Sequence, residues 1–295
     1  MAKKLLNLLI FDRETRLVSV LPLAFCALFV LASQLSAQED GVHVQEGLVA
    51  LNAQDFAGAA AAFQEAFDDG DADGAFYLGR MLELGIGGVA NPKAAVALYR
   101  VASELGSAQA MNRLGVLHIQ GLGVLQNYEE GARLVCAAAE LGDTNGAFNC
   151  GTVLREGVGT GKDEDLAYDW FAKAGDQGHL GAMNARAAAL IEGKYVAQDI
   201  PAAMSLLEHT ANRGDRAGLF ALAQLQAAGL AGDADLIEAH KNFNLAAVLG
   251  HPRAAAARAA VEAGMSAEDV ALAHERAQAW RPVELPKEKI SEEGQ

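Results

Sequence analysis

Residues 145 to 180 read NGAFNCGTVLREGVGTGKDEDLAYDWFAKAGDQGHL. Two helices are written in them. The first is expected near Ala147–Glu156. Gly157 and Gly159 break it, because glycine enters the left-handed conformation at a helix end without steric cost. The second is expected near Glu164–Asp176, where Ala167, Trp170, Phe171 and Ala174 share one helical face. Gly178 ends it.

The pattern recurs along the chain. Gly106, Gly142, Gly178, Gly214 and Gly250 stand 36 residues apart, and so do Gly85, Gly121, Gly157, Gly193 and Gly229. Gly79, Gly115 and Gly151 form a third register, continued by Ala187 and Ala223. The apolar face returns as Ala95, Leu98, Tyr99 and Ala102, and as Ala203, Leu206 and Leu207. A fixed period of this length marks a stack of helix pairs, each burying its face on the next. Glycine inside a helix costs about 1 kcal/mol relative to alanine, so the third register implies a close approach of the partner helix. The expected fold class is all-α, an α/α solenoid of 36-residue helix-turn-helix repeats.

Two segments carry a family likeness, AMNRLGVLHIQGLGV from Ala110 to Val124 and LAYDWFAKAGDQG from Leu166 to Gly178. At these residues the chain resembles the Sel-one-like repeat family, a branch of the tetratricopeptide-type solenoids. The resemblance covers residues 73–252 as five clear copies, within a solenoid expected over 41–281. It implies a right-handed superhelix. Arg186 departs from the family's usual Leu, and Asn242 from its usual Trp. Residues 43–72 read as a worn earlier copy, with Ala59, Phe63, Ala66 and Gly70 in register. Residues 253–281 read as a C-terminal cap, since the last repeat needs a polar outer cover. Ser266 with Asp269 three residues on is a capping box, and that helix is expected to end near Trp280. Residues 282–295, PVELPKEKISEEGQ, read as a disordered tail.

Composition narrows the role. The 295 residues are 52% hydrophobic, and 38 acidic against 23 basic residues give a net charge of −15. That balance argues against nucleic acid as a partner, which calls for a basic face. The N-terminus opens with Lys3 and Lys4, runs apolar from Leu17 to Ala32, and passes into SQLSAQED. This is the order of a secretory signal, read as residues 1–37 with a cut near Ala37 and delivery to the periplasm or beyond. The apolar run of 16 residues contains Pro22 and is short for a membrane span. Uncleaved, it is the chain's one expected membrane contact.

Several residues of chemically active types also fit plainer roles. Asp69, Asp71, Asp73 and Gly74 open like a calcium loop, but the twelfth position is Arg80 rather than a bidentate glutamate. Asp71 also aligns with Asp143 and Asp215, at helix entries where carboxylates cap free N–H groups. The glycine run Gly157–Gly161 lacks the lysine–hydroxyl pair of a phosphate loop. The acidic run Asp163, Glu164 and Asp165 opens a helix, where the dipole favours it. His179 and His251 share a turn register, and no histidine spacing suits a metal. No catalytic constellation, metal or cofactor site stands out, so the chain is read as a non-enzyme.

Cys136 and Cys150, the cysteines of the exported part, lie equally far from a turn centred near Asp143 on consecutive antiparallel helices. Export permits a disulfide, and two buried thiols are the alternative. In solenoids of the type the resemblance implies, the first helices line the concave side. Residues there facing away from the second helices are Tyr77, Arg80, Arg113, Gln120, Asn149, Thr152, Arg155 and Glu156. Three arginines among them suit a partner carboxylate or acidic peptide, unless neighbouring acids neutralise them. The expected function is an exported protein–protein interaction scaffold, an adaptor or regulator of the bacterial envelope. It would bind a peptide or helix on the concave face. The alternative, which the family resemblance implies, is a protein that binds cell-wall ligands, or binds and hydrolyses β-lactams.

Overall fold

The structure, a computed structural model, describes residues 41–283. The signal segment expected over 1–37 lies outside the described residues. Fourteen helices and no strands are present among the described residues. They divide into two compact units meeting at Asp71 and Ala72.

The described part of the first unit is one helix pair, α1 (Val42–Asn52) and α2 (Phe56–Asp68). The Asp55 side chain caps α2 by accepting the Gly58 N–H at 2.9 Å. Ala59, Phe63 and Ala66 are buried, and Gly70 ends the pair with φ +94°. Gly47 leaves room for the Phe63 ring, which would lie 2.3 Å from a β-carbon there.

The second unit is an α/α solenoid. Its copies are α3 (Ala72–Leu84) with α4 (Pro92–Glu104), α5 (Ala108–Gln120) with α6 (Tyr128–Glu140), and α7 (Thr144–Glu156) with α8 (Glu164–Asp176). Then come α9 (Leu180–Glu192) with α10 (Ile200–Asn212) and α11 (Arg216–Ala228) with α12 (Leu236–Val248). Each of these helices has 13 residues. Local chemistry fixes that length. Asn91, Asn127, Asp163, Asp199 and Asp235 cap the second helices, each accepting the N–H three residues on. Ser107, Asp143, His179 and Asp215 do the same for first helices α5, α7, α9 and α11. The Asp143 cap explains why α7 begins at Thr144, three residues before the expected start. Gly121, Gly157, Gly193 and Gly229 end the first helices in the left-handed region.

The third register does what the sequence implies. A β-carbon at Gly79 would lie 2.7 Å from the Tyr99 ring, and one at Gly151 2.8 Å from the Phe171 ring. Gly115 is tighter still: its β-carbon would meet the Gly131 carbonyl oxygen at 2.9 Å and the Val135 nitrogen at 3.0 Å. Backbone cannot move aside as a side chain can. Gly115→Ala therefore lowers stability by about 2 kcal/mol, although alanine is the better helix former. Urea melts of the two proteins check the sign; a stabilised variant would contradict the close approach.

A second period is superposed on the first. Phe148 stacks on His179 with ring centroids 4.3 Å apart, and Phe220 on His251 at 4.0 Å. Between them, Asn184 donates to the Asp215 carboxylate at 2.6 Å. Helix-entry residue and partner thus alternate, His with Phe and Asp with Asn. Burial, the larger cause, pushes both stacked imidazoles below the usual histidine range.

Both departures from the family pattern find partners. Arg186 donates to Asp176 at 2.8 Å, and buried Asn242 donates to Gln226 at 2.9 Å. The cap comprises α13 (Ala254–Glu262) and α14 (Ala267–Ala279), which both pack on α12. Ser266 caps α14 through the Asp269 N–H at 3.1 Å. Pro282 and Val283, assigned to a disordered tail from sequence, are instead placed against the α10–α11 turn. The Val283 N–H donates to the Asn212 carbonyl at 2.7 Å, and Pro282 lies over Gly214. Residues 284–295 lie outside the described residues.

Candidate functional site

The first helices line up as one wall of the second unit. α3 packs on α5, α5 on α7 and α9 on α11, and no pair of second helices packs as closely. The eight residues expected to face a partner all sit on α3, α5 and α7. Their side chains have different fates.

Arg113 is engaged. It grips the Glu83 carboxylate with both ends of its guanidinium, Nε lying 3.0 Å from Oε2. Arg80 reaches the same carboxylate at 3.2 Å, and the Tyr99 hydroxyl donates to it at 2.7 Å. Glu83 is 13% exposed. Burial alone would raise its carboxyl, but hydrogen bonds from Arg113 and Tyr99 outweigh this and hold it below the ordinary range. Burial, then the Glu83 carboxylate, pushes the Tyr99 phenol well up. This cluster ties α3, α4 and α5 together, so Arg113 and Arg80 are structural at least in part. The residue pattern placed them on one face. Glu83 stands in a different register, so its meeting with Arg113 was not legible.

Asn149 donates to Asn112 at 2.7 Å, linking α7 to α5. Thr152 turns back to the Phe148 carbonyl at 2.9 Å. Tyr77 packs edge-on against Phe76. Gln120 is exposed at the end of α5. Arg155 stands out, 45% exposed, with its guanidinium 5.1 Å above the Phe171 ring and one long contact of 3.4 Å to Glu156.

Arg155 also lines a cleft of about 250 Å³. The α7–α9 pair packs less closely than the other neighbours in the wall. Phe171 and Ala167 of α8 floor the gap, Ala185, Ala188 and Ala189 of α9 form one side, and Tyr168 and Tyr195 line the rim. The alanines explain the opening. Registers holding Tyr77, Arg113 and Asn149, or Arg80, Val116 and Thr152, hold Ala185 and Ala188 in the fourth copy. Tyr195 stands where earlier copies have Gly87, Gly123 and Gly159, and it keeps their left-handed backbone at φ +63°. Of the lining residues, Arg155 was expected from sequence to face a partner and Ala167 and Phe171 to form the core face, whereas Tyr168, Tyr195 and the alanines of α9 were not singled out. The signal was present, a tyrosine in a glycine register.

Cys136 of α6 and Cys150 of α7 are joined in a disulfide, with Cα atoms 4.7 Å apart. This decides between the bonded and free-thiol alternatives. No cluster of three or more His, Cys, Asp or Glu suited to a metal ion exists among the described residues. No helix among them is long and apolar enough to cross a membrane.

The pattern of the Sel1 repeat matches residues 72–107, 108–143, 144–179, 181–215 and 217–251. The chain belongs to the Sel1 repeat family. Sel1 repeat proteins are generally scaffolds for protein–protein interaction and generally non-catalytic. Among solved structures, the chain is similar to a protective antigen of uropathogenic Escherichia coli strains displaying an SLR fold. Identity is 26% and the TM-score 0.69, over 76% of this chain and 48% of that one. The chain thus spans about half the length of that relative. It is also similar in fold to a Sel1 repeat protein from Oxalobacter formigenes, with 24% identity, a TM-score of 0.68, and coverage of 80% and 96% respectively. A search of the curated proteins finds no match.

Proposed function

We propose that this Sel1 repeat protein is a non-enzymatic adaptor or regulator exported to the bacterial envelope, its signal cut near Ala37. Its first-helix wall docks a protein or peptide partner. The observation that carries the docking reading is the wall itself. Its side chains are held in place by hydrogen bonds and ion pairs, and it opens into a cleft beside a half-exposed arginine. A pre-ordered surface of this kind loses little entropy on binding. Export is supported by the Cys136–Cys150 bond, since disulfides persist in oxidising compartments.

Site-specific photo-cross-linking in living cells tests the docking face. A photoreactive residue at Gln120 or Thr152, on the wall, is expected to trap a discrete partner. The same residue at Arg133, exposed on second helix α6, is expected to trap none. Adducts from Arg133 alone would move the interaction to the outer face. The intact mass of the purified protein tests export, and a species beginning near Gln38 is the expected result.

A further inference from the structure

The cleft between α7 and α9 has a more specific chemistry than the rest of the wall. Its floor is apolar and buried, with Ala167 1% and Phe171 4% exposed. Its rim is aromatic, from Tyr168 and Tyr195. A cavity of about 150 Å³ suffices to take a benzene ring in an engineered protein, so about 250 Å³ accommodates an aromatic side chain. The charges around it are unevenly satisfied. Glu164 and Glu192, both in the lining, pair with Lys162 and Lys194. Arg155 lies over the Phe171 ring, and its one carboxylate contact among the described residues is the long one to its chain neighbour Glu156. A ligand carboxylate is the group that completes it.

We infer that this cleft is the anchor pocket of the wall, taking one aromatic side chain of an extended partner segment while Arg155 pairs with an acidic residue next to it. The wall continues past the cleft to α5 on one side and α11 on the other, so a through-running segment fits better than a chain end. The chain's own residues 284–295 contain no aromatic residue and do not supply the anchor. The inference rests on the docking reading above and names the partner chemistry.

Tyr195 supplies an independent handle. A non-glycine residue in the left-handed region is strained, and the three preceding copies avoid it with glycine. In the third copy a β-carbon at Gly159 would lie 1.9 Å from the Tyr128 carbonyl oxygen. The fourth copy accepts a whole tyrosine at the equivalent place, and its ring lines the cleft. Tyr195→Gly therefore has opposite effects on stability and on binding. A merely structural tyrosine moves both the same way.

The test titrates the purified protein with acetyl-Gly-Trp-Asp-Gly-amide, following backbone amide shifts by NMR. Saturable shifts at Ala188, Ala189 and Tyr195 are expected, with weak affinity. Replacing Trp by Ala in the peptide weakens binding at least about tenfold, as for an anchor side chain. Replacing Asp by Asn weakens it about threefold to tenfold in the wild type and little in Arg155→Gln, as expected for one charge pair. Tyr195→Gly weakens binding several-fold while its Tm rises by about 2 °C. Ala188→Leu fills the cleft and abolishes binding. No saturable shift in the cleft, or equal binding by the Trp and Ala peptides, overturns the inference. So does a Tyr195→Gly protein that binds normally. If the cleft fails while Gln120 and Thr152 still trap a partner, the wall reading stands alone. If the cleft binds the peptide while those positions trap nothing, the pocket stands and the wall reading falls.

Discussion

Glu83→Ala is expected to cost about 2–3 kcal/mol, because three donors lose their common acceptor at once. The Tyr99 side chain is fully buried, so its hydroxyl cannot turn to water. A buried donor left unpaired costs about 1–3 kcal/mol. Arg113, 29% exposed, recovers part of its solvation, which keeps the total below that of a fully buried broken pair. Glu83→Gln preserves an acceptor for Tyr99 and costs less, about 1 kcal/mol. The loss falls on the α3–α4–α5 junction. In a solenoid each copy is held mainly by its neighbours, so hydrogen exchange should accelerate in α3 and α4 before the later copies. Uniform acceleration along the chain would show that the cluster is not a local tie. The pH dependence follows with a definite sign. Because the folded carboxyl sits below its ordinary value, its contribution is present above the unfolded pKa of about 4.3 and lost as pH falls through the folded value.

The second large effect concerns the disulfide. Cys136 and Cys150 are 14 residues apart, and closing a loop of that size stabilises by about 3 kcal/mol in the chain-entropy view. The double substitution to serine is therefore expected to lower Tm by roughly 6–12 °C for a chain of this length. Reduction of the wild type with dithiothreitol should match it. The position of the bond matters as much as its strength. It joins α6, the last helix of one copy, to α7, the first of the next. It thus bridges a junction between copies, the place where a stack of repeats separates. Thermal melts with and without reductant, beside a thiol titration of the unfolded protein, check this. An unchanged melting curve on full reduction would mean that packing across α6 and α7 suffices alone.

What was readable from the sequence was whatever repeats. Glycines and small residues at fixed intervals mark helix ends and close approaches, so the helix pairs and their period followed from registers alone, while the face assigned to a partner came from the family resemblance and the start of α7 is set by its Asp143 cap. Meetings between different registers were not readable. Glu83 and Arg113 occupy unlike positions 30 residues apart, and only the stacking of one copy on the next brings them together. The cleft escaped for the opposite reason. It is made by what is missing, side chains replaced by alanine at Ala185 and Ala188. A search for chemically active residues passes over alanines. Tyr195 was visible in principle, as the one bulky residue in a column of glycines.

The alternation of His–Phe and Asp–Asn partners governs how such a gene can be cut and rejoined. Each partnership runs from the first helix of a copy to the residue that opens the next, as from Phe148 to His179 and from Asn184 to Asp215. A 36-residue deletion spanning residues 180–215 removes Asn184 and Asp215 together and leaves both histidine stacks whole. A deletion of the same length over residues 160–195 leaves Phe148 facing Asp215, an aromatic ring against a carboxylate. Recombination is thus tolerated at one seam of the repeat and penalised at the other. Copies can be gained or lost as interchangeable parts only when the splice falls just after the helix-opening residue.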